Sequence, residues 1–139
     1  MTSHDALSFT LVLSGAPYSS QAPQSALCFA RAALEAGHTI DRVFLYGDGV
    51  LLANRLLTPP SDELNWQREW SQWLAEHNVT GIACVASALR RGILDETEQA
   101  RYGQACANLA PGFTIAGLGE WVDGWVTSDR TVFFQGAGS

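Results

Sequence analysis

"GIACVASALRRGILDETE", Gly81 to Glu98, decides how the chain is read. With Thr80 in front, "TGIACVA" is a compact apolar run of the kind expected in a strand buried on both faces. The polarity then changes. A short helix is expected around Ser87–Arg91, carrying Arg90 and Arg91, and an acidic cluster opens a second helix from about Asp95 to Leu109. Cys84 therefore stands where a buried strand hands over to a helix. It is either a small apolar filler, the usual state of a free cysteine, or a reagent.

The same alternation extends in both directions. "LSFTLVLS" (Leu7–Ser14) reads as the first strand and stops at Gly15, Ala16 and Pro17. "APQSALCFARAALEA" (Ala22–Ala36) places Ala26, Phe29, Ala30, Ala33 and Leu34 on one helical face, and Gly37 ends it. "TIDRVFLY" is the second strand, and "GDGVLLANRLLTPP" a loop with a short helix closed by Pro59 and Pro60. Ser61 or Asp62 is expected to cap a longer helix to about His77, carrying Leu64, Trp66, Trp70, Trp73 and Leu74. "GFTIAG" and "RTVFFQ" supply strands four and five, on either side of a stretch holding Trp121 and Trp125. Strands alternating with helices predict an α/β fold: an open, mainly parallel five-stranded sheet with helices on both faces and right-handed crossovers.

Composition bounds the function. A chain of 139 residues, 47% hydrophobic and 16% charged, fits a single domain over 1–139, with 1–6 and 136–139 as loose tails. No apolar run reaches the ~18 residues of a membrane span, and "MTSHDALSFT" has no signal-peptide pattern, so a cytoplasmic protein is expected. Cys28, Cys84 and Cys106 are odd in number and form no CxxC pair, which suggests neither a disulfide framework nor a zinc site. All eight basic residues are arginine. Without lysine there is no Schiff base, P-loop lysine or lysine general base. A net charge of −6 disfavours direct contact with a nucleic-acid backbone.

Ligands of such sheets bind outside the carboxyl ends of the strands. Cys84, followed by Ala86 and Ser87, belongs at that edge, together with the loops "SGAPYSSQ" and "YGDG". His38 and His77 precede strands and belong at the opposite edge, and His4 is in the N-terminal tail. A Cys–His hydrolase is therefore not expected. "GLGEWV" breaks the dinucleotide fingerprint, because Val122 occupies the place of the third glycine. A thiol without a base can still be activated by a helix N-terminus or by Arg90 and Arg91. Cys28 and Cys106 are expected within helices, on faces rich in alanine and leucine, as structural residues.

"CVASALRRGILDETE", "VFLYGDGV" and "GFTIAGLGEW", supported by "GAPYSSQAPQSALCFARAALEAGH" and "LLTPPSDEL", resemble the DsrE-like family, most closely its TusD branch, from about Phe9 to Phe134. The resemblance implies a flavodoxin-like three-layer sandwich. It also implies a sulfurtransferase in which Cys84, as the catalytic residue, accepts sulfur as a persulfide, with no cofactor and no metal. The implied partners are TusB-like and TusC-like subunits in a heterohexamer, a TusA-like donor and a TusE-like acceptor. The sulfur then travels toward the 2-thio group of a tRNA wobble uridine, the tRNA itself being handled further along. Two alternatives stand beside this reading: a DsrE-type subunit of a sulfur-oxidation relay (DsrEFH-like), and a non-catalytic assembly subunit with Cys84 buried. The tryptophans bear on assembly. Trp66, Trp70 and Trp73 form one helical stripe expected to pack on the sheet, while Trp121 and Trp125, spaced i, i+4, are expected to anchor a partner.

Overall fold

The computed structural model describes residues 5–136. Its elements run β1 (Ser8–Leu13), α1 (Ala22–Glu35), β2 (Thr39–Leu45), a 3-10 helix (Gly47–Ala53), α2 (Trp66–His77), β3 (Thr80–Cys84), α3 (Val85–Arg90), α4 (Glu96–Tyr102), β4 (Phe113–Ala116), α5 (Gly119–Thr127) and β5 (Arg130–Phe134). The five strands form one sheet in the order β4-β3-β2-β1-β5, and every neighbouring pair is parallel. The α/β expectation holds, with the sheet wholly rather than mainly parallel.

Strand order fixes the layers. From β1 to β4 the chain steps repeatedly in one direction, so right-handed crossovers place the intervening helices on one face; the return from β4 to β5 reverses direction and places α5 on the other. The side chains agree. Leu11, Leu13, Val43, Leu45 and Ala83 point into a large core shared with Leu27 and Ala30 of α1, Trp70 and Leu74 of α2, and Ala88 of α3. The alternate residues Val12, Phe44, Ile82 and Cys84 form a small second cluster, against which Ala116 of β4 and Trp121 of α5 pack. The three-layer sandwich is thus lopsided, with one full helical layer and one lone helix.

Three expected helix boundaries move, each for a local reason. α2 starts at Trp66, because the Asn65 side chain accepts from the Arg68 backbone N–H at 3.1 Å and serves as N-cap in place of Ser61 or Asp62. Leu64 falls outside the helix and is exposed. α3 starts at Val85, two residues early, directly from the strand. α4 does begin after Asp95, whose carboxylate accepts from Glu98 N at 2.8 Å, but it ends at Tyr102, where Gly103 takes the left-handed conformation (φ 63°). Residues 104–109 run on without helix, and Leu109 bridges to Asn54.

The tryptophan stripe of α2 packs inward as expected. Trp70 is fully buried and donates its indole N–H to Pro23 O at 2.9 Å, and Trp73 is nearly so. At the amino edge, the Asp129 carboxylate accepts from the Ser8 backbone N–H (2.8 Å) and hydroxyl (3.2 Å), which lowers its pKa from the usual value and ties β5 to β1. Gly136, expected in a loose tail, belongs to the packed end of the sheet: a Cβ there would lie 2.9 Å from Ser20 Cβ. His4 and the remaining tail residues 1–4 and 137–139 lie outside the described residues, while Asp5 and Ala6 are exposed.

The turn after β2 is fixed by a steric constraint at Gly49. A Cβ there would sit 2.0 Å from Leu13 O, so the loop lies against the end of β1 only because the side chain is missing. Gly47 (φ 55°) has open space around its Cβ position. Gly49→Ala is therefore expected to cost about 3 kcal/mol or more by overpacking, against about 1 kcal/mol for Gly47→Ala from backbone strain. Urea unfolding of the two variants checks the order, and equal costs would contradict the steric account.

Candidate functional site

Cys84 is the last residue of β3, and its Cα pairs with that of Ala116, the last residue of β4. After Cys84 the chain enters α3 and joins the large core through Ala88; after Ala116 it passes Gly117 and Leu118 and enters α5 on the opposite face. Adjacent strands sending their chains to opposite faces make a topological switch point, the place where open parallel sheets hold ligands. The thiol side chain stands at this divide. It is 3% exposed and belongs to a small buried cluster with Val12, Phe44 and Ile82, against which Ala116 and Trp121 pack.

The residues expected around the thiol are partly elsewhere. Arg91 is held by Asp48 (2.9 Å) and donates to Ser87 O (3.1 Å), while Ser87 Oγ accepts from Gly47 N (3.0 Å). These contacts fasten the "YGDG" loop to α3 but occupy Arg91 in doing so. Arg90 is exposed and lines a groove of about 720 Å³ with Leu56, Leu94, Tyr102 and Cys106. Cys106 and Cys28, expected as structural residues on apolar helical faces, are both exposed. Cys106 has left the helix because α4 stops at Gly103, and Cys28 lies on the solvent side of α1. His38, just before β2, accepts from Leu7 N at Nδ1 (3.0 Å), and His77 ends α2 against Trp73; both are at the amino edge, as expected.

Sequence reasoning missed the lone helix on the Cys84 side of the sheet. α5 buries only Gly124, and polar contacts hold it down. Arg42, on the α5 face of β2, reaches Asp41 at 2.8 Å and Glu120 and Asp123 of α5 at 3.1 Å each, with its side chain 14% exposed. Burial by itself would pull the Arg42 pKa down; hydrogen bonds and charge from Asp41 and Asp123 outweigh it, so the net shift is upward and the guanidinium stays charged. A Cβ on Gly124 would lie 2.7 Å from Arg42 Cδ and 2.9 Å from Thr10 Oγ1, so the missing side chain sets how closely α5 approaches. Trp121 is the one large side chain α5 turns inward, whereas Leu118, Val122, Trp125 and Val126 are exposed. Beside Trp121 a cleft of about 390 Å³ opens between Val12, Phe44, Tyr46, Leu118 and Phe133. The i, i+4 spacing of Trp121 and Trp125 signals the helix, but which strand it crosses depends on the reversal after β4.

Fold and site together define a flavodoxin-like parallel α/β protein that carries a thiol at its switch point. The chain belongs to the DsrE/DsrF-like family, whose model matches residues 8–134. That family is associated with sulfur transfer, generally within multi-subunit sulfur-relay complexes. Among solved structures the chain is similar to the ychN protein from E. coli, at 26% identity over 92% of this chain and 99% of that one, with a TM-score of 0.73. Among the described residues no helix is long and apolar enough to cross a membrane.

Access, then, separates the three thiols. Iodoacetamide is expected to modify Cys28 and Cys106 in the native protein at least about tenfold faster than Cys84. Gly124→Leu, which forces α5 away from Thr10, should speed Cys84 alone. Peptide mass spectrometry over time reads all three rates, and a Cys84 rate equal to the others in the parent protein would contradict its burial.

Proposed function

We propose that this chain is a sulfur-relay sulfurtransferase subunit of the TusD kind, which accepts sulfur on Cys84 and passes it to an acceptor thiol. One observation carries the reading: in a member of a sulfur-transfer family, Cys84 ends β3 at the switch point of the sheet. The Cys84 thiolate attacks the outer sulfur of a donor persulfide. A new sulfur–sulfur bond forms to Cys84 Sγ, the donor's sulfur–sulfur bond breaks, and the donor leaves as a thiolate. An acceptor thiolate then attacks the same outer sulfur and restores Cys84. Each transfer makes and breaks one such bond, so no external oxidant or reductant enters. A thiolate leaving group also explains why a site without histidine suffices.

The supporting features are protein-facing. A charge of −6 suits delivery to protein thiols better than contact with tRNA, consistent with TusA-like donors and TusE-like acceptors on either side of the step and tRNA 2-thiolation at the relay's end. The outer face of α5, with Trp125 57% exposed beside Val122 and Val126, is the surface we assign to TusB-like or TusC-like subunits. The proposed setting is the cytoplasm, where thiols stay reduced. The burial of Cys84 favours a second reading, an assembly subunit that carries no sulfur.

Mass spectrometry after incubation with a persulfidated donor decides between them. The expected outcome is one added sulfur on Cys84, lost in Cys84→Ser and kept in Cys28→Ser and Cys106→Ser. Sulfur that remains on the Cys84→Ser protein would overturn the site, and a parent protein that never loads would favour the assembly subunit. For the interface, Trp125→Ala is expected to weaken association with co-expressed TusB-like and TusC-like partners by about tenfold or more. Light scattering on size-exclusion fractions measures it, and unchanged assembly would remove Trp125 from the interface.

A further inference from the structure

α5 lies against β1 and β2, where Gly124 meets Thr10 and Arg42 and where Trp121 shares a cleft with Val12 and Phe44. Over β3 and β4 a separate cleft of about 270 Å³ stays open, lined by Thr80, Ile82, Thr114 and Ala116 of the two strands and by Arg42 and Glu120 on the α5 side. Past the end of β4 an opening of about 350 Å³, lined by Gly117, Gly119 and Asp123, shares Ala116 and Glu120 with it. A Cβ on Gly117 or Gly119 would meet nothing within 4 Å. Strand register relates these residues to the thiol. Thr80, Ile82 and Cys84 alternate with Gly81 and Ala83 and so share the α5 face. Cys84 pairs with Ala116, and Ile82 with Thr114. Paired residues of neighbouring strands point to the same face, roughly 5 Å apart. Ala116 is thus the neighbour of Cys84 across the strands, and Ile82 its neighbour along the strand, about 7 Å away. Both line the cleft. Cys84, 3% exposed, does not, whereas Ala116 is half-buried.

We propose that the cleft over β3 and β4 is the route by which a persulfide or thiol reaches Cys84, and that Ala116 sets its width. The inference rests on the sulfur-acceptor reading of Cys84. In the transfer, a sulfur–sulfur bond forms to Cys84 Sγ as the donor's own breaks and the donor departs as a thiolate, so the rate depends on how closely the donor sulfur can approach. The last cleft residue before the thiol carries only a methyl group. The added sulfur extends about 2 Å beyond Sγ and needs room on the same face. A longer side chain at 116 projects to the side of the sheet that holds the thiol, because the register gives the two residues one face. Glu120 bounds the cleft from α5 while it is held by Arg42 at 3.1 Å, so the position of the helix and the width of the route are linked.

The test uses the full chain and two reagents of one chemistry and different bulk, N-methylmaleimide and N-phenylmaleimide, with peptide mass spectrometry to follow Cys84 alone. Ala116→Leu is expected to slow Cys84 by about tenfold or more with the smaller reagent and further with the larger, while Cys28 and Cys106 keep their rates. Ala116→Gly is expected to bring the two reagents' rates closer together. The sign is informative, since a sheet merely loosened by the substitution would expose the thiol and raise its rate. Thr114 lines the same cleft and is exposed, so Thr114→Leu, expected to slow Cys84 in the same sense, carries the test should Ala116→Leu not fold. Phe133→Trp, which narrows the cleft beside Trp121 instead, is expected to leave the Cys84 rate unchanged. In parallel, loading by cysteine persulfide is expected to slow by about tenfold or more in Ala116→Leu. A folded Ala116→Leu or Thr114→Leu in which Cys84 alkylates and loads as fast as in the parent overturns this inference and leaves the sulfur-acceptor reading intact. Slowing by Phe133→Trp in their place does the same. Failure of the parent protein to load on Cys84 overturns both.

Discussion

The handedness of the crossovers is the constraint on which the rest depends. Three successive steps from β1 to β4 in one direction stack α1, α2 and α3 on one face, and the single return to β5 leaves α5 alone on the other. The sheet acquires two unequal sides from one geometric rule. Its crowded side holds the large buried residues, Trp70, Leu27 and Leu45 among them, and carries most of the apolar burial. The sparse side holds a hydrophobic cluster of four buried residues, and Cys84 is one of them. The same reversal creates the switch point, since it is at β3 and β4 that the chain first departs to opposite faces. Site and cover thus arise from one topological event.

A lone helix with so little apolar contact needs another means of attachment. Arg42 provides it by meeting three carboxylates, two of them on α5, at a depth where its side chain is largely shielded. Ser128 Oγ adds hydrogen-bonding contacts to Thr10 Oγ1 at 2.9 Å and to Gly124 O at 2.6 Å. Polar attachment differs from apolar packing in its response to a partner. Carboxylates half exposed to water can exchange one cation for another at small net cost, because surface ion pairs are weak and screened. The outward residues of α5 are apolar, so a protein docking there gains burial where this chain's own core offers little.

Much of this was legible in the sequence, and the exceptions have physical causes. All five strands and α1 lie where periodicity and turn residues place them, because a strand buried on both faces must be apolar and glycine ends a helix by its own backbone freedom. The start of α2 was misplaced, since Ser61, Asp62 and Asn65 are all competent caps and only the folded loop shows which side chain reaches the open N–H. α4 was overextended because Gln104 to Leu109 carries no breaker after Gly103; the bridge from Leu109 to Asn54, a contact distant in sequence, keeps that segment extended. The carboxyl-edge rule located Cys84 correctly. It could not give its burial, because the cluster that holds it is completed by a helix 35 residues further along the chain that returns over the opposite face.

That burial bears directly on what a sulfur carrier must do. A persulfide is consumed by any thiolate that reaches its outer sulfur, so a carrier left open to solvent would lose its cargo to whatever small thiols surround it. Exposed thiols such as Cys28 and Cys106 offer no such protection. A thiol 3% exposed, in the cluster on the α5 side of the sheet, does, but only if that side yields to the correct partner and to little else. Holding α5 by ion pairs instead of a deep apolar interface meets both demands, and its apolar outer face gives a docking subunit the means to move it. On the proposed reading, access to Cys84 is then set by docking at the helix on its side of the sheet, and selectivity between relay partners and bulk thiols follows from the sheet's unequal sides rather than from the chemistry of the sulfur.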